Sequence, residues 1–255
     1  MLYVQCAGLW ESRVIETYLF EILRHEYDSE VLDCSQRTQR AQRLYAALCA
    51  AGLWRPQARL LDVGCGSGLL LAALGRDTRQ RIGCDVRQSL YVQTREQGSS
   101  VLFTQADAIC LPFLDGAFDL VTCLAVIEEL TDWRGALQEM ARCVAPGGVL
   151  YVTVTNGRLL TPLYTWVERL GMHVRASAWA YSVSSLRLTE AEPEAGFSVP
   201  ALATWRYIHL TPYLARSQWS WLRLLPWPYL NWCMHYFAPS LGFAWQRPID
   251  IQKTE

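Results

Sequence analysis

Short apolar and polar segments alternate along the middle of the chain. Between Arg59 and Val154, their lengths and spacing predict the order strand, helix, strand, helix, strand, loop, strand, helix, strand. Such an alternation favours a parallel sheet with helices on both faces. Residues 35–51 are predicted to form a preceding helix, which stops at Gly52 and Pro56.

The two ends of the chain differ from this middle region. Residues 9–24 carry apolar side chains near helical spacing, which predicts an amphipathic lid helix. Residues 205–245 contain six of the eleven tryptophans. We therefore divide the chain into an N-terminal helical lid (1–52) and one larger domain (53–255), with an aromatic insertion at about 203–240.

Composition is typical of a folded domain in a reducing compartment. The chain has 255 residues, of which 51% are hydrophobic, and this suffices for one large core. Nine cysteines occur without a C-x-x-C pair, which favours reduced thiols over a disulfide framework or a metal site. The N-terminus has no basic region followed by a long apolar run, so we predict no signal peptide and expect a cytoplasmic location.

The charge pattern argues against a nucleic-acid partner. The net charge is −1, the arginines are spread along the whole chain, and lysine occurs only at Lys253. A basic stripe with interleaved aromatic residues, the usual footprint of nucleic-acid binding, is missing. We therefore predict that nucleic acid is not a partner.

A glycine-rich turn is the clearest candidate for a ligand site. Gly64, Gly66 and Gly68 follow an apolar strand, an apolar helix comes next, and a second strand ends on Asp85. Glycines let the backbone approach a ligand where any Cβ would collide. Asp85 is suitably placed to accept hydrogen bonds from both hydroxyls of a ribose. The pattern predicts an adenosine-containing cofactor; the structural alternatives are a tight turn and an N-cap for a helix beginning at Val86.

The spacing of this turn differs from that of a dinucleotide site. A nicotinamide site favours G-x-G-x-x-G beside a pyrophosphate, whereas here the pattern is G-x-G-x-G with Asp62 two positions earlier. A carboxylate at that position would repel a pyrophosphate but suits a cationic or zwitterionic ligand. Residues 62–68 resemble the first motif, D-x-G-x-G-x-G, of the class I S-adenosylmethionine-dependent methyltransferases, in particular their small-molecule (type 11-like) group.

Further motifs follow at spacing similar to that of this family. Asp107 and Ala108 come after a predicted strand at 101–103, another strand is predicted at 118–123, and the turn at 146–148 reads Pro-Gly-Gly, as before the family's fifth strand. The resemblance is specific over residues 25 to 155 and holds only in outline from about 180 to 247.

The resemblance implies a fold and a cofactor. The fold is α/β, a Rossmann-like, seven-stranded, mostly parallel sheet with helices on both faces and its last strand antiparallel. The sixth strand is expected at 196–199 and the seventh at 241–246. The implied cofactor is S-adenosyl-L-methionine, and no metal is implied.

The family's cofactor contacts can be carried over to matching positions. The implied cofactor-binding residues are Asp62, Gly64, Gly66, Gly68, Asp85, Val86, Asp107, Ala108, Leu124, Arg43 and Tyr27. Of these, Asp62 is implied at the ammonium end, Asp85 at the ribose and Asp107 at the adenine amine. Structural alternatives stay open here too: Asp62 could be a loop cap, Asp107 a turn residue, and Arg43 part of a solvated basic face.

The segment after the fourth strand departs from the family pattern. Many relatives read Glu-His-Leu there, whereas this chain reads Glu-Glu-Leu, so that Glu129 occupies the position of the histidine. Glu129 is the candidate catalytic residue, as a base with a pKa raised by burial or as a stabiliser of a developing cation. It could equally be a salt-bridge partner or an acid at a helix start, and no histidine is assigned a catalytic role.

The tryptophan-rich segment indicates the class of acceptor. Trp219 to Pro239 contains only Arg223 as a full charge, and Pro226 and Pro228 interrupt it, so it does not read as a transmembrane helix. Clustered aromatics favour a boundary between water and hydrocarbon. The segment either packs on the sheet, caps a lipophilic acceptor site or rests on a membrane surface. We predict methyl transfer to a small lipophilic acceptor, such as an isoprenoid, quinone, polyketide or lipid; the alternative is an inactive cofactor-binding scaffold.

Overall fold

The computed structural model describes residues 34–74, 78–86, 101–127, 130–155, 199–211, 224, 226, 228 and 240–249. The chain divides into two compact units, Met1–Asp33 and Cys34–Glu255, and every described residue belongs to the second. The predicted lid helix at 9–24 lies outside the described residues. The predicted division between residues 52 and 53 stays a prediction. None of the helices in the described part of the chain is long and apolar enough to cross a membrane.

Seven strands form one sheet. Their bounds are β1 Ala58–Val63, β2 Thr78–Asp85, β3 Leu102–Gln105, β4 Phe118–Leu124, β5 Val144–Thr155, β6 Arg206–His209 and β7 Ser240–Gln246. The order across the sheet is β3-β2-β1-β4-β5-β7-β6. Strands β1 to β5 pair in parallel, and β7 runs antiparallel to both β5 and β6. The predicted mostly parallel sheet with an antiparallel last strand is confirmed.

The predicted position of the sixth strand was wrong. It lies at Arg206–His209 rather than at 196–199. Val199 instead precedes a short 3-10 turn, Pro200–Leu202. Proline fixes φ and favours the first positions of a helical turn, so Pro200 begins this turn directly after Val199. The edge strand forms later, where Tyr207 pairs with Trp245 of β7.

Within the described residues, three helices flank the sheet. They are α1 Cys34–Ala50, α2 Leu69–Ala73 and α3 Trp133–Cys143, and the first confirms the helix predicted at 35–51. The side chain of Asp132 caps α3 by accepting a 2.9 Å hydrogen bond from the Gly135 N–H. The buried face of α3 includes Leu137 and Met140.

The core has one half on each face of the sheet. On β1, Leu61 and Val63 pack in the cluster that contains the buried face of α3, whereas Leu60 packs in the cluster that contains α1. This division follows from the two-residue repeat of a strand, in which successive side chains point to opposite faces. Asp62 therefore points to the same face as Leu60. The strand pattern thus brings one carboxylate into a mostly apolar layer.

Candidate functional site

The candidate site lies at the carboxyl edge of the sheet, where β1 gives way to the glycine turn. In the strand order, β2 and β3 lie on one side of β1, and β4 and β5 lie on the other. The strand order therefore reverses at β1. Ligands of open α/β sheets collect in the crevice at such a switch point. The ends of β1, β2 and β4 therefore meet where the sequence predicts a cofactor.

The glycine turn has a backbone that other residues adopt only with strain. The φ angles of Gly64, Gly66 and Gly68 are 72°, 52° and 72°, in the left-handed region. The N–H groups of Gly64 and Cys65 both donate to the Cys84 carbonyl oxygen, at 2.8 and 3.0 Å. These bonds fix the turn to the end of β2. The sequence pattern therefore reflects a backbone requirement at this turn.

The three glycines differ in their surroundings. A Cβ added to Gly64 would collide with the side chain of Val126, and one added to Gly68 would collide with the ring of Phe103. A Cβ added to Gly66 would meet no atom within 4 Å. Open space next to Gly66 is what a ligand approached closely by backbone would need, so this cradle fits a nucleoside cofactor.

Asp85 is bound directly to the glycine turn. Its Oδ2 accepts a 3.0 Å hydrogen bond from the Gly66 N–H. The side chain of Asp85 is only partly buried, so it stands at the rim of the open space beside Gly66. The structure thus joins two residues that the sequence placed in one site.

Asp62 is a fully buried carboxyl group in the same region. It is 3% exposed, and the Thr122 hydroxyl donates a 2.7 Å hydrogen bond to its Oδ1. Burial raises the pKa of Asp62 to about 7, although the Thr122 hydrogen bond lowers it, and the charge of Asp85 raises it further. A cation beside Asp62 would favour its ionised form. This carboxyl can therefore change charge near neutral pH when a charged ligand binds.

The thiols next to these acids are not nucleophiles. Burial and the charge of Asp62 raise the pKa of Cys65 far above its ordinary value, and burial raises the pKa of Cys84 to about 12. Since the thiolate is the reactive form, both thiols stay inert at neutral pH. No group of three or more His, Cys, Asp or Glu side chains able to hold a metal ion occurs among the described residues.

The candidate adenine residues follow β2 and β3. Val86 is 57% exposed, and its carbonyl oxygen accepts a 2.9 Å bond from the Gln105 side chain. Asp107 is exposed, and its Oδ1 accepts a 3.1 Å bond from the Ile109 N–H, which is the turn role that the sequence left open. Ala108 is buried. The ends of these two strands are neighbours, because Asp85 pairs with Gln105.

The fourth strand ends beside the glycine turn. Leu124 is its last residue and pairs with Thr153 of β5. Ala125 follows with a φ of 53°, and its N–H donates a 3.0 Å hydrogen bond to the Thr153 hydroxyl oxygen. The next residue, Val126, contacts Gly64. Leu124 thus lies at the predicted edge of the sheet.

Three other candidates are not joined to this group. Arg43 is partly exposed on α1, which packs against α2, the helix after the glycine turn. Tyr27 and Glu129 lie outside the described residues. The predicted cofactor roles of Arg43 and Tyr27 and the predicted catalytic role of Glu129 stay predictions.

The sequence interpretation missed the residues that support the site. The role of Thr122 could have been detected, because it is a polar side chain in the otherwise apolar end of β4. The sequence gives no such indication for Phe103, Val126 or Thr153, because each contacts a residue that is distant in the sequence.

The fold and the site together define a Rossmann-like domain that binds a nucleoside cofactor. Residues 61–152 match the family described as Methyltransferase domain. These residues therefore form a domain of the class I S-adenosylmethionine-dependent methyltransferase type, whose cofactor is S-adenosylmethionine.

Known relatives share only part of the chain. The ubiquinone biosynthesis O-methyltransferase of Methylococcus capsulatus is 31% identical over 106 residues, which are 40% of this chain and 45% of that protein. The ubiquinone/menaquinone biosynthesis C-methyltransferase UbiE of Vibrio cholerae is 30% identical over 153 residues, 52% of this chain and 59% of that protein. The chain thus spans about half the length of these curated relatives.

A solved structure has the same fold. It is a SAM-dependent methyltransferase from Thermotoga maritima, described as a possible histamine N-methyltransferase, with a TM-score of 0.50 and 16% sequence identity. The similarity covers 93% of this chain and 97% of that chain. At this identity the similarity concerns the fold alone.

Proposed function

We propose that this chain transfers the methyl group of S-adenosylmethionine to a small lipophilic acceptor of the quinone type. The observation that supports binding of this cofactor is the pair of acids at the glycine turn. Asp62 is buried beside Thr122, and Asp85 is hydrogen-bonded to Gly66. The acceptor class is supported by the relatives named for ubiquinone and menaquinone biosynthesis and by the tryptophan-rich segment.

Each acid has a distinct part in this proposal. Asp62 would hold the cationic methionine end of the cofactor, because a positive charge favours its ionised form. Asp85 would accept hydrogen bonds from the ribose hydroxyls while it keeps the turn in place through Gly66. Asp107 and Val86 would line the adenine end.

Methyl transfer needs little covalent chemistry from the protein. When bound, S-adenosylmethionine supplies an electrophilic methyl group on a sulfonium whose charge makes departure favourable. The chain must align the acceptor with that methyl group, exclude water and remove a proton where the acceptor carries one. We assign the proton transfer, or the stabilisation of a developing cation, to Glu129.

A methyl-transfer assay tests the proposal. The relatives are named for transfer to oxygen and to carbon, so the assay offers radiolabelled S-adenosylmethionine with two short-chain quinol acceptors. One acceptor carries a further ring hydroxyl besides the two quinol hydroxyls, and the other has an unsubstituted ring carbon. We expect label in one of these products and a loss of turnover in Glu129→Gln with cofactor affinity retained.

Two other outcomes would overturn parts of the proposal. Label that enters only the polar fraction of a cell extract would contradict the lipophilic acceptor. Cofactor binding without label in any fraction would favour the inactive scaffold. Cosedimentation with anionic lipid vesicles tests whether the tryptophan-rich segment rests on a membrane, which for a cytoplasmic protein would be a peripheral contact.

A further inference from the structure

Ala125 has an unusual backbone conformation directly beside the candidate site. Its φ is 53°, although it carries a Cβ that disfavours the left-handed region. Strained residues of this kind persist only where the surrounding structure holds them, and they cluster at functional sites. A specific contact must therefore hold this turn in place.

The Thr153 hydroxyl provides that contact. The pairing of β4 with β5 ends at Leu124 and Thr153, where the chain turns away from the sheet. The Ala125 N–H, which follows the last paired residue, donates its hydrogen bond to Thr153 Oγ1 at 3.0 Å. A side chain of β5 thus accepts the N–H at the point where β4 leaves the sheet.

The conformation of Ala125 determines where Val126 lies. The side-chain carbons of Val126 occupy the space that a Cβ on Gly64 would fill. Val126 is partly buried and packs against the core cluster on the α3 side. Ile127, one residue further along, is fully buried, so the segment is fixed on both sides of Val126.

We propose that Thr153 is a positioning residue of the cofactor site. Its hydroxyl stabilises the left-handed turn at Ala125, and this turn holds Val126 against Gly64 as one wall of the cradle. The same segment leads to Glu129, the candidate catalytic residue. The effect of Thr153 on cofactor binding rests on the proposed function, whereas its effect on Ala125 does not.

The first test needs no cofactor. Alanine labelled with ¹³C gives a methyl resonance for Ala125, assigned by its absence in Ala125→Gly. We expect this resonance to move in Thr153→Val, which keeps the shape but lacks the acceptor, and to return to the wild-type position in Thr153→Ser. An unmoved resonance in Thr153→Val would overturn the inference.

The second test measures binding of S-adenosylmethionine by titration calorimetry. Thr153→Val is expected to weaken binding about five- to tenfold, and Thr153→Ser to restore it. Ala125→Gly in the Thr153→Val background should recover most of the affinity, because glycine needs no contact to adopt this φ. Equal weakening in the Val and Ser variants would contradict the inference.

A control variant separates positioning from general loss of stability. Thr211 Oγ1 accepts a 2.6 Å bond from the Gly242 N–H, the same kind of contact at β7. Thr211→Val is expected to lower the melting temperature and leave cofactor affinity unchanged. If the wild-type chain binds no cofactor, the proposed function fails, and the Ala125 resonance alone decides the role of Thr153.

Discussion

The Thr122 hydroxyl donates a 2.7 Å hydrogen bond to the buried carboxyl group of Asp62 across the junction of β1 and β4. The two residues are direct partners in the register of these strands, so their side chains lie on the same face of the sheet. The bond offsets part of the cost of burying the carboxylate. It therefore lowers the pH at which Asp62 becomes charged, against the larger, opposite effect of burial.

Cofactor affinity is expected to depend on pH through Asp62. The pKa of Asp62 is about 7 without ligand, and a cationic ligand lowers it. Below that pH the group must lose its proton on binding, so affinity falls as pH falls, by up to about tenfold per pH unit. Above it the affinity reaches a plateau. Calorimetry in buffers of different ionisation enthalpy measures the released proton.

Asp62→Asn is the control for this pH dependence. The amide cannot ionise, so the variant should bind more weakly and with a flat profile between about pH 6 and pH 8. The same slope in Asp62→Asn and the wild type would assign the proton to another group.

Thr122→Val is expected to move the midpoint of this profile to higher pH. The substitution keeps the shape of the side chain but removes the hydrogen bond that lowers the pKa of Asp62. Thr122→Ser keeps the hydroxyl and should keep the wild-type midpoint. A shift toward lower pH in Thr122→Val would refute the proposed role of this bond.

The glycines of the turn are expected to respond differently to substitution by alanine. Gly68→Ala collides with Phe103 and should lower the free energy of unfolding by about 2 kcal/mol or more. At Gly66 the Cβ meets open space, so Gly66→Ala should cost only the backbone strain of about 1 kcal/mol while it weakens cofactor binding. Thermal unfolding and calorimetry separate the two effects.

Gly52→Ala provides the matched control for strain alone. Gly52 has a φ of 68° and also nothing within 4 Å of an added Cβ, but it lies at the end of α1. Its alanine variant should match Gly66→Ala in stability and the wild type in affinity. Unchanged cofactor binding by Gly66→Ala would show that the ligand lies elsewhere.

Local signals in the sequence were sufficient to predict β1 and β2, the strands next to the glycine turn. The apolar run before Gly64 and the acid that ends β2 each depend on residues close together in the chain, and both lie where the motif predicts. Asp119, near the start of β4, has a structural contact: it accepts hydrogen bonds from the Arg59 guanidinium at 3.0 and 3.1 Å.

Features that depend on strand register could not be predicted. Whether Thr122 lies opposite Asp62 or one residue away is decided by the pairing of β1 with β4, and a shift of one residue would turn the hydroxyl to the other face. The sixth strand is short and lies at an edge of the sheet, so its position depends on β7 more than on its own sequence. The four residues of this strand also lie within the aromatic segment at about 203–240 that the sequence predicted as an insertion.

Binding of S-adenosylmethionine to the wild type, Asp85→Ala and Asp119→Asn tests the central claim most directly. Asp119 is the matched control, because it is an acid at the opposite, amino-terminal end of the strands and pairs with Arg59. We predict that titration calorimetry will give binding to the wild type, at least about tenfold weaker binding to Asp85→Ala, and wild-type affinity in Asp119→Asn. No binding by the wild type, or wild-type affinity in Asp85→Ala, would contradict the assignment of this turn as the cofactor site.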